Sequence, residues 1–212
     1  MISHPAKFTA TIVEVLHDRA PTGLILDPFA GTGRIHQLRN LWRQTVGVEI
    51  EPEWANLDSA TIVGNALHLP FLEGVFDGVV TSPCYANRLA DSHHAQDGSV
   101  RHSYTHDLGR RLHPDNSGAL QWGDSYRNFH VRAWGEALRV LRPGGAFVLN
   151  CKDHIRAGVV QPVTAWHIAE LERCGLDVIE DIEIPVTGLG FGANATIRVD
   201  HEHVVVMRRR VS

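Results

Sequence analysis

The chain lacks the features that mark membrane, secreted and metal-knuckle proteins. No apolar stretch in its 212 residues approaches the ~20 residues a membrane-spanning helix needs, and no cationic leader runs into an apolar segment near its start. Its three cysteines, Cys84, Cys151 and Cys174, lie far apart and form no C-x-x-C pair, which speaks against a disulfide framework and a zinc knuckle. These absences predict a soluble cytoplasmic protein without membrane contact. Positive charge is not in excess either: 20 Lys and Arg stand against 24 Asp and Glu, so the molecule as a whole lacks the basic footprint of a nucleic-acid binder. Local clusters, Arg110-Arg111 and Arg208-Arg209-Arg210, read either as a basic stripe or as solvated surface. There is no G-x-G-x-x-G and no G-K-S/T, so neither a dinucleotide nor a P-loop nucleotide site is indicated. The chain carries no signal of oligomeric state.

What is present is a repeating alternation. Hydrophobic residues make up 43% of the chain, enough for one substantial core, and a single domain over 1–212 is expected. Apolar runs recur at 24–29, 45–50, 60–63, 76–81, 146–150, 176–184 and 203–207, with helical spacing at 7–19, 34–43, 128–141 and 161–174. That pattern predicts an α/β fold with a mostly parallel twisted sheet and helices on both faces. The last two strands are joined by a glycine-rich loop rather than a helix, so they are expected to close the sheet as an antiparallel hairpin. Residues 86–127 break the rhythm with clustered His, Asp, Arg, Ser and Gly. They read as an insertion, either a substrate-facing loop or small recognition region, or plain disorder.

Two strand ends carry the chemistry. The run Leu24-Ile25-Leu26 opens into Asp27-Pro28-Phe29-Ala30-Gly31-Thr32-Gly33, whose glycines let a ligand approach the main chain. The helix expected next would aim its first amides at an anionic group. The run Phe76–Val80 ends in Ser82-Pro83-Cys84-Tyr85, a serine hydroxyl, a proline without an N–H and an aromatic ring in sequence. Ligands of open α/β sheets bind beyond the carboxyl ends of the strands, so these turns offer neighbouring places for a cofactor and a substrate. About twenty residues past the first turn, the strand Thr45–Glu49 ends in a carboxylate, the position at which related folds hold ribose hydroxyls. Glu51 and Glu53 follow closely, and all three read alternatively as caps of the helix containing Trp54.

At these residues the chain resembles the S-adenosylmethionine-dependent amino-group DNA methyltransferases, most closely the N4-cytosine type. The resemblance implies a Rossmann-like methyltransferase fold and methyl transfer from S-adenosyl-L-methionine to a nucleobase amino group. Cytosine N4 in DNA comes first, with adenine N6 or an RNA base amine as the alternative. In this family the segment matched by His4-Pro5-Ala6-Lys7-Phe8 closes over the methionine end of the cofactor, which nominates Lys7 and Phe8, Phe8 reading equally as core. Asp27, Phe29, Ala30, Gly31, Thr32 and Gly33 form the implied cofactor turn. Glu49 takes the ribose, Ile50 packs on the adenine face, and Gly64-Asn65-Ala66 matches the strand end at which a side chain, here Asn65, meets the adenine amino group, so Ala66 joins the implied cofactor residues. Ser82 and the Pro83 carbonyl would accept the two N–H bonds of the target amine while Tyr85 stacks on the base. Arg142-Pro143-Gly144-Gly145 before a strand is common among Rossmann-like methyltransferases and bears on fold.

The family has a second proline where this chain has Cys84. Cys84 reads as a small packing residue, with covalent chemistry as the alternative. No metal ligand set is expected: His102 and His106 have helical ligand spacing, but solvated loop histidines are the simpler reading. Arg88, Arg101, Arg110 and Arg111 are the insertion's candidates for phosphate or base contact. Asn150, Lys152 and Asp153, at a strand end, are secondary candidates for substrate contact. A module that binds the cofactor with little catalysis is the rival of a different class.

Overall fold

The computed structural model describes residues 8–86, 103–186 and 199–211. The expected strands all form: β1 (Gly23–Asp27), β2 (Arg43–Glu49), β3 (Thr61–Val63), β4 (Phe76–Thr81), β5 (Leu141–Cys151), β8 (Leu176–Pro185) and β9 (His201–Arg209) make one sheet in the order β3-β2-β1-β4-β5-β9-β8. The pairs from β3 through β5 are parallel, and β9 lies antiparallel between β5 and β8. A small hairpin, β6 (His154–Arg156) with β7 (Val159–Gln161), stands apart from it and has no counterpart in the sequence pattern. Helices α1 (Ala10–Arg19), α2 (Pro52–Ala55), α3 (Tyr104–Leu108), α4 (Asp124–Val140) and α5 (Val163–Arg173) complete the described elements.

Strand side chains alternate between the two faces, and both faces are apolar, which is why the central strands read as continuous hydrophobic runs. Leu26, Val79, Phe147, Leu149 and Val205 pack with Trp134, Ala137 and Leu138 of α4 and Leu171 of α5. Their neighbours Ile25, Val80, Val148 and Val204 pack on the opposite side with Ile12 and Leu16 of α1. Helix α1 begins where the Thr9 hydroxyl accepts the Ile12 amide at 3.3 Å, and its buried Ile12 and Leu16 are one turn apart.

Three local expectations change. The helix expected over 34–43 is a single 3-10 stretch, Arg34–Leu38. Ile35 and Leu38, three residues apart, are both buried, as suits that tighter period, and the Asn40 side chain accepts the Trp42 amide at 2.8 Å and turns the chain into β2. The passage Arg142–Gly145 lies within β5: pairing passes from Phe76 with Leu141 to Gly78 with Ala146, so four residues of one strand face one of the other. The insertion is structured over its described part, 103–127. It contains α3, a 3-10 turn at Ser117–Ala119 and the first turn of α4, which starts four residues earlier than expected.

Candidate active site

The two polar turns end adjacent parallel strands, β1 and β4, and open on one cavity of about 310 Å3. Of the expected cofactor residues, Phe8, Asp27, Phe29, Ala30, Gly31, Thr32, Glu49, Ile50, Asn65 and Ala66 line it, as do Ser82, Pro83, Cys84 and Tyr85. Gly33 does not: with φ 77° it shapes the start of the 3-10 turn, and its amide donates to the Ala30 carbonyl. Lys7, with His4, Pro5 and Ala6, lies outside the described residues, as do Arg88, Arg101 and His102.

The first turn is wired to the second strand. Gly31 takes φ 52°, in the region open to glycine, and points its amide at Glu49 Oε2 at 2.8 Å. Glu49 Oε1 accepts the Glu51 amide at 2.8 Å. The amides of Gly31 and Gly33 are thus used within the protein, and no α-helix follows to offer a free row of them. This corrects the expected amide cradle. Asp27 accepts the Phe29 amide at 3.0 Å and the Thr81 hydroxyl at 2.6 Å, joining the two turns. Burial pushes both Asp27 and Glu49 up to about 7, against the pull of the donors they hold. Glu51 stands at the N-cap position of α2, as one reading had it, but its side chain makes no capping hydrogen bond there. Asn65 Oδ1 holds the Leu67 amide at 2.9 Å, and its Nδ2 donates to Asp115 at 3.0 Å.

A buried relay fixes the second turn from behind. Trp134 Nε1 lies 3.0 Å from His167 Nδ1, and an indole N–H only donates, so Nδ1 accepts and the proton of the neutral ring sits on Nε2. Nε2 then donates to the Tyr126 hydroxyl at 2.8 Å, which in turn donates to the Cys84 carbonyl at 2.7 Å. Burial holds His167 well below its ordinary value, which keeps the ring neutral and the direction of the relay fixed. It also pushes the Cys84 thiol up, away from thiolate, and places Sγ 3.5 Å from the Tyr104 hydroxyl. Cys84 therefore fits packing better than nucleophilic attack.

Facing the cavity, Ser82 Oγ lies 2.8 Å from the Tyr85 hydroxyl, and Asn150 Nδ2 donates to that hydroxyl at 2.9 Å and to Glu202 Oε2 at 3.2 Å. Asn150 Oδ1 is buried without a partner. Sequence reasoning missed Glu202, Tyr104, Asn116, Ser117 and Phe129, which all line the cavity. It also missed how the insertion is fastened. Glu51 accepts the His113 amide at 2.7 Å and Asn116 Nδ2 at 2.8 Å, and Arg110 pairs with both Glu51 and Glu53. Arg110 is thus committed within the protein rather than offered to phosphate. Arg209 is tied to the Leu138 and Leu141 carbonyls and Arg210 to Asp177, at the end of β9 remote from the cavity. Arg111, beside Arg110, is exposed. His106 Nδ1 meets Asp107 at 3.1 Å.

No family model matches the chain, and no curated protein matches its sequence. Solved structures do match. An S-adenosylmethionine-dependent methyltransferase from Methanosarcina mazei superposes with a TM-score of 0.58 at 13% identity, over 93% of this chain and 98% of that one. A 1,6-didemethyltoxoflavin-N1-methyltransferase from Burkholderia thailandensis, holding S-adenosylhomocysteine, gives 0.53 at 18% identity over 93% and 76%. The cyclase SpnF gives 0.58 at 14% identity over 95% and 82%. A cyclase among the matches shows that one architecture houses more than one chemistry, so function rests on the site. No described helix is long and apolar enough to cross a membrane. Strand order, the antiparallel β9 and these superpositions together identify the architecture as the Rossmann-like methyltransferase fold.

Proposed function

We propose that this protein transfers a methyl group from S-adenosyl-L-methionine to the exocyclic amino group of a nucleobase, cytosine N4 in DNA before adenine N6 or an RNA base. The observation that carries the reading is the set of acceptors beside the catalytic turn. Ser82 Oγ, the orphaned Asn150 Oδ1 and the Glu202 carboxylate belong to residues lining one cavity, and Pro83 adds no N–H to compete. Such a wall suits a substrate that brings N–H donors.

The other side of the cavity suits a nucleoside-bearing amino acid. Glu49 supplies a carboxylate for ribose hydroxyls, Ile50 an apolar face for adenine, Asn65 an amide for its edge, and the Asp27–Thr32 turn the polar anchor for the amino-acid end. When bound, S-adenosylmethionine supplies an electrophilic methyl group on a sulfonium. The chain's own contribution is orientation. A base amine is a poor nucleophile because its lone pair is delocalised into the ring. Ser82 Oγ and the Pro83 carbonyl accept its two N–H bonds, favour a pyramidal nitrogen and direct the lone pair, while the Tyr85 ring holds the base. Fixing two reactants in line contributes on the order of 7–11 kcal/mol in favourable systems. DNA contacts would fall to Arg111 and to residues of 87–102, outside the described part.

The test is incubation with methyl-labelled S-adenosylmethionine and separate DNA, RNA and protein pools, followed by nucleoside mass spectrometry. N4-methylcytosine in DNA is the expected product. N6-methyladenine, or label in RNA, would select the alternative substrate. Cofactor binding with no label in any nucleic-acid pool would overturn the reading and leave a binding module.

A further inference from the structure

Away from the cavity, the β8–β9 hairpin gathers side chains with metal-ligand chemistry. His201 and His203 are two residues apart in β9 and so project on one face, and the register sets Glu183 of β8 opposite His203. One ligand atom from each of Glu183, His201 and His203 lies within 4.8 Å of the other two. The two imidazoles stand edge to face, centroids 4.9 Å apart.

Each ring is also held from behind. His201 Nδ1 meets Asp200 Oδ1 at 2.9 Å, and His203 Nδ1 meets Asp181 Oδ1 at 2.9 Å. A carboxylate only accepts, so both rings carry hydrogen on Nδ1, and each neutral ring keeps its lone pair on Nε2. Carboxylates orient metal-bound histidines in this way, fixing the tautomer and raising ligand basicity.

We propose that Glu183, His201 and His203 bind one divalent transition ion of the zinc class. Two imidazoles and a carboxylate suit zinc, cobalt or nickel, whereas calcium and magnesium take all-oxygen shells. Three protein ligands leave a fourth tetrahedral position for water. The ion clips β8 to β9 where the hairpin approaches the cavity: Glu202, between the two histidines, points to the other face of β9 and lines that cavity. The role is structural and independent of the methyl-transfer reading.

The test uses tag-free protein stripped with chelator, titrated with zinc by calorimetry and with cobalt by visible absorption. One equivalent binding at micromolar or tighter affinity, together with a higher melting temperature, is expected. His203→Ala and Glu183→Gln should each weaken binding at least tenfold. Asp181→Asn, which keeps all three ligands, should weaken it by about 10–100-fold, the usual cost of losing an orienting partner. His17→Ala, on the exposed side of α1, should change nothing. Circular dichroism confirms that each variant is folded. Absence of saturable one-equivalent binding to the wild type, or wild-type affinity in both folded ligand variants, would overturn the proposal.

Discussion

Tyr126→Phe removes one oxygen from the protein interior and keeps the ring that packs in the core. That oxygen stands between two partners, accepting from the buried His167 Nε2 and donating to the carbonyl of the half-buried Cys84. Tyr126 and His167 are both fully buried, so water cannot take the vacated place. A buried polar group left unpaired costs about 1–3 kcal/mol, which falls on His167 Nε2, and the lost bond to the half-buried Cys84 carbonyl adds about 0.5–1.5 kcal/mol. A loss of ~3 kcal/mol is expected, allowing for partial relaxation of the turn. In a domain of this size 1 kcal/mol corresponds to about 2–4 °C, so the melting temperature should fall by roughly 6–12 °C. Urea denaturation measures the loss directly: with a slope of about 2 kcal/mol/M, the midpoint should drop by roughly 1.5 M. Turnover should fall as well, because the Cys84 carbonyl lies in the turn proposed to orient the substrate. Cofactor affinity should hold, since Asp27 and Glu49 belong to other strands. A folded Tyr126→Phe protein that loses less than about 0.5 kcal/mol would refute the relay and the tautomer assigned to His167.

Cofactor affinity should depend on pH near neutrality. Burial raises Asp27 and Glu49 to about 7, so both carboxyls hold a proton below that pH in the free protein, and their contribution to stability is lost as pH rises from the ordinary carboxylate range to about 7. A ligand whose hydroxyls need the Glu49 anion and whose amino-acid end needs that of Asp27 must displace those protons, so calorimetry should show affinity falling by about tenfold per group between pH 8 and pH 6, with Glu49→Gln removing one group's share; a flat profile would contradict this. Ser82→Ala should cost far more in single-turnover methylation than Cys84→Ala, about 2.7–4 kcal/mol by analogy with lost oxyanion-hole donors; the reverse order would reinstate covalent chemistry at Cys84. Gly47→Ala should destabilise the protein by about 1–3 kcal/mol and weaken cofactor binding, as overpacking does. The added Cβ would lie 2.7 Å from the Ala30 Cβ on the cofactor turn and 2.7 Å from Thr61 Oγ1, and unchanged calorimetric affinity would separate that turn from the pocket.

The strands were legible because burial on both faces writes continuous apolar runs, and both polar turns because they sit where those runs stop. Residues 34–43 misled because Ile35 and Leu38 fit a 3-10 period as well as an α one, while Asn40 diverts the backbone. Asn116 and Ser117 were hidden in a polar segment whose hold on the protein is hydrogen bonding to Glu51, which leaves no hydrophobic period to read. Glu202 was hidden by topology. Every parallel strand delivers its last residues, or those just past its end, to the cavity, but β9 runs the other way and delivers one near its start. A search of strand ends alone passes over it. The metal-ligand group escaped for a related reason, since Glu183 and His203 meet only through the register of β8 on β9.

The sheet's two borders also govern how copies of this molecule meet. One border, β3, is three residues long and offers little for another strand to pair with. The other, β8, is ten residues long, with Val178 and Ile179 exposed, dimensions that invite strand addition. Asp177, Glu180, Asp181 and Glu183 run along it. Arg210 pairs with Asp177, Arg19 with Glu180 and His203 with Asp181, so a second β8 laid one strand spacing away, about 4.8 Å, would crowd a row of paired carboxylates and strip it of water. The row thus acts as a hydrated, charged fence that opposes a continuous ladder of β8 strands between molecules.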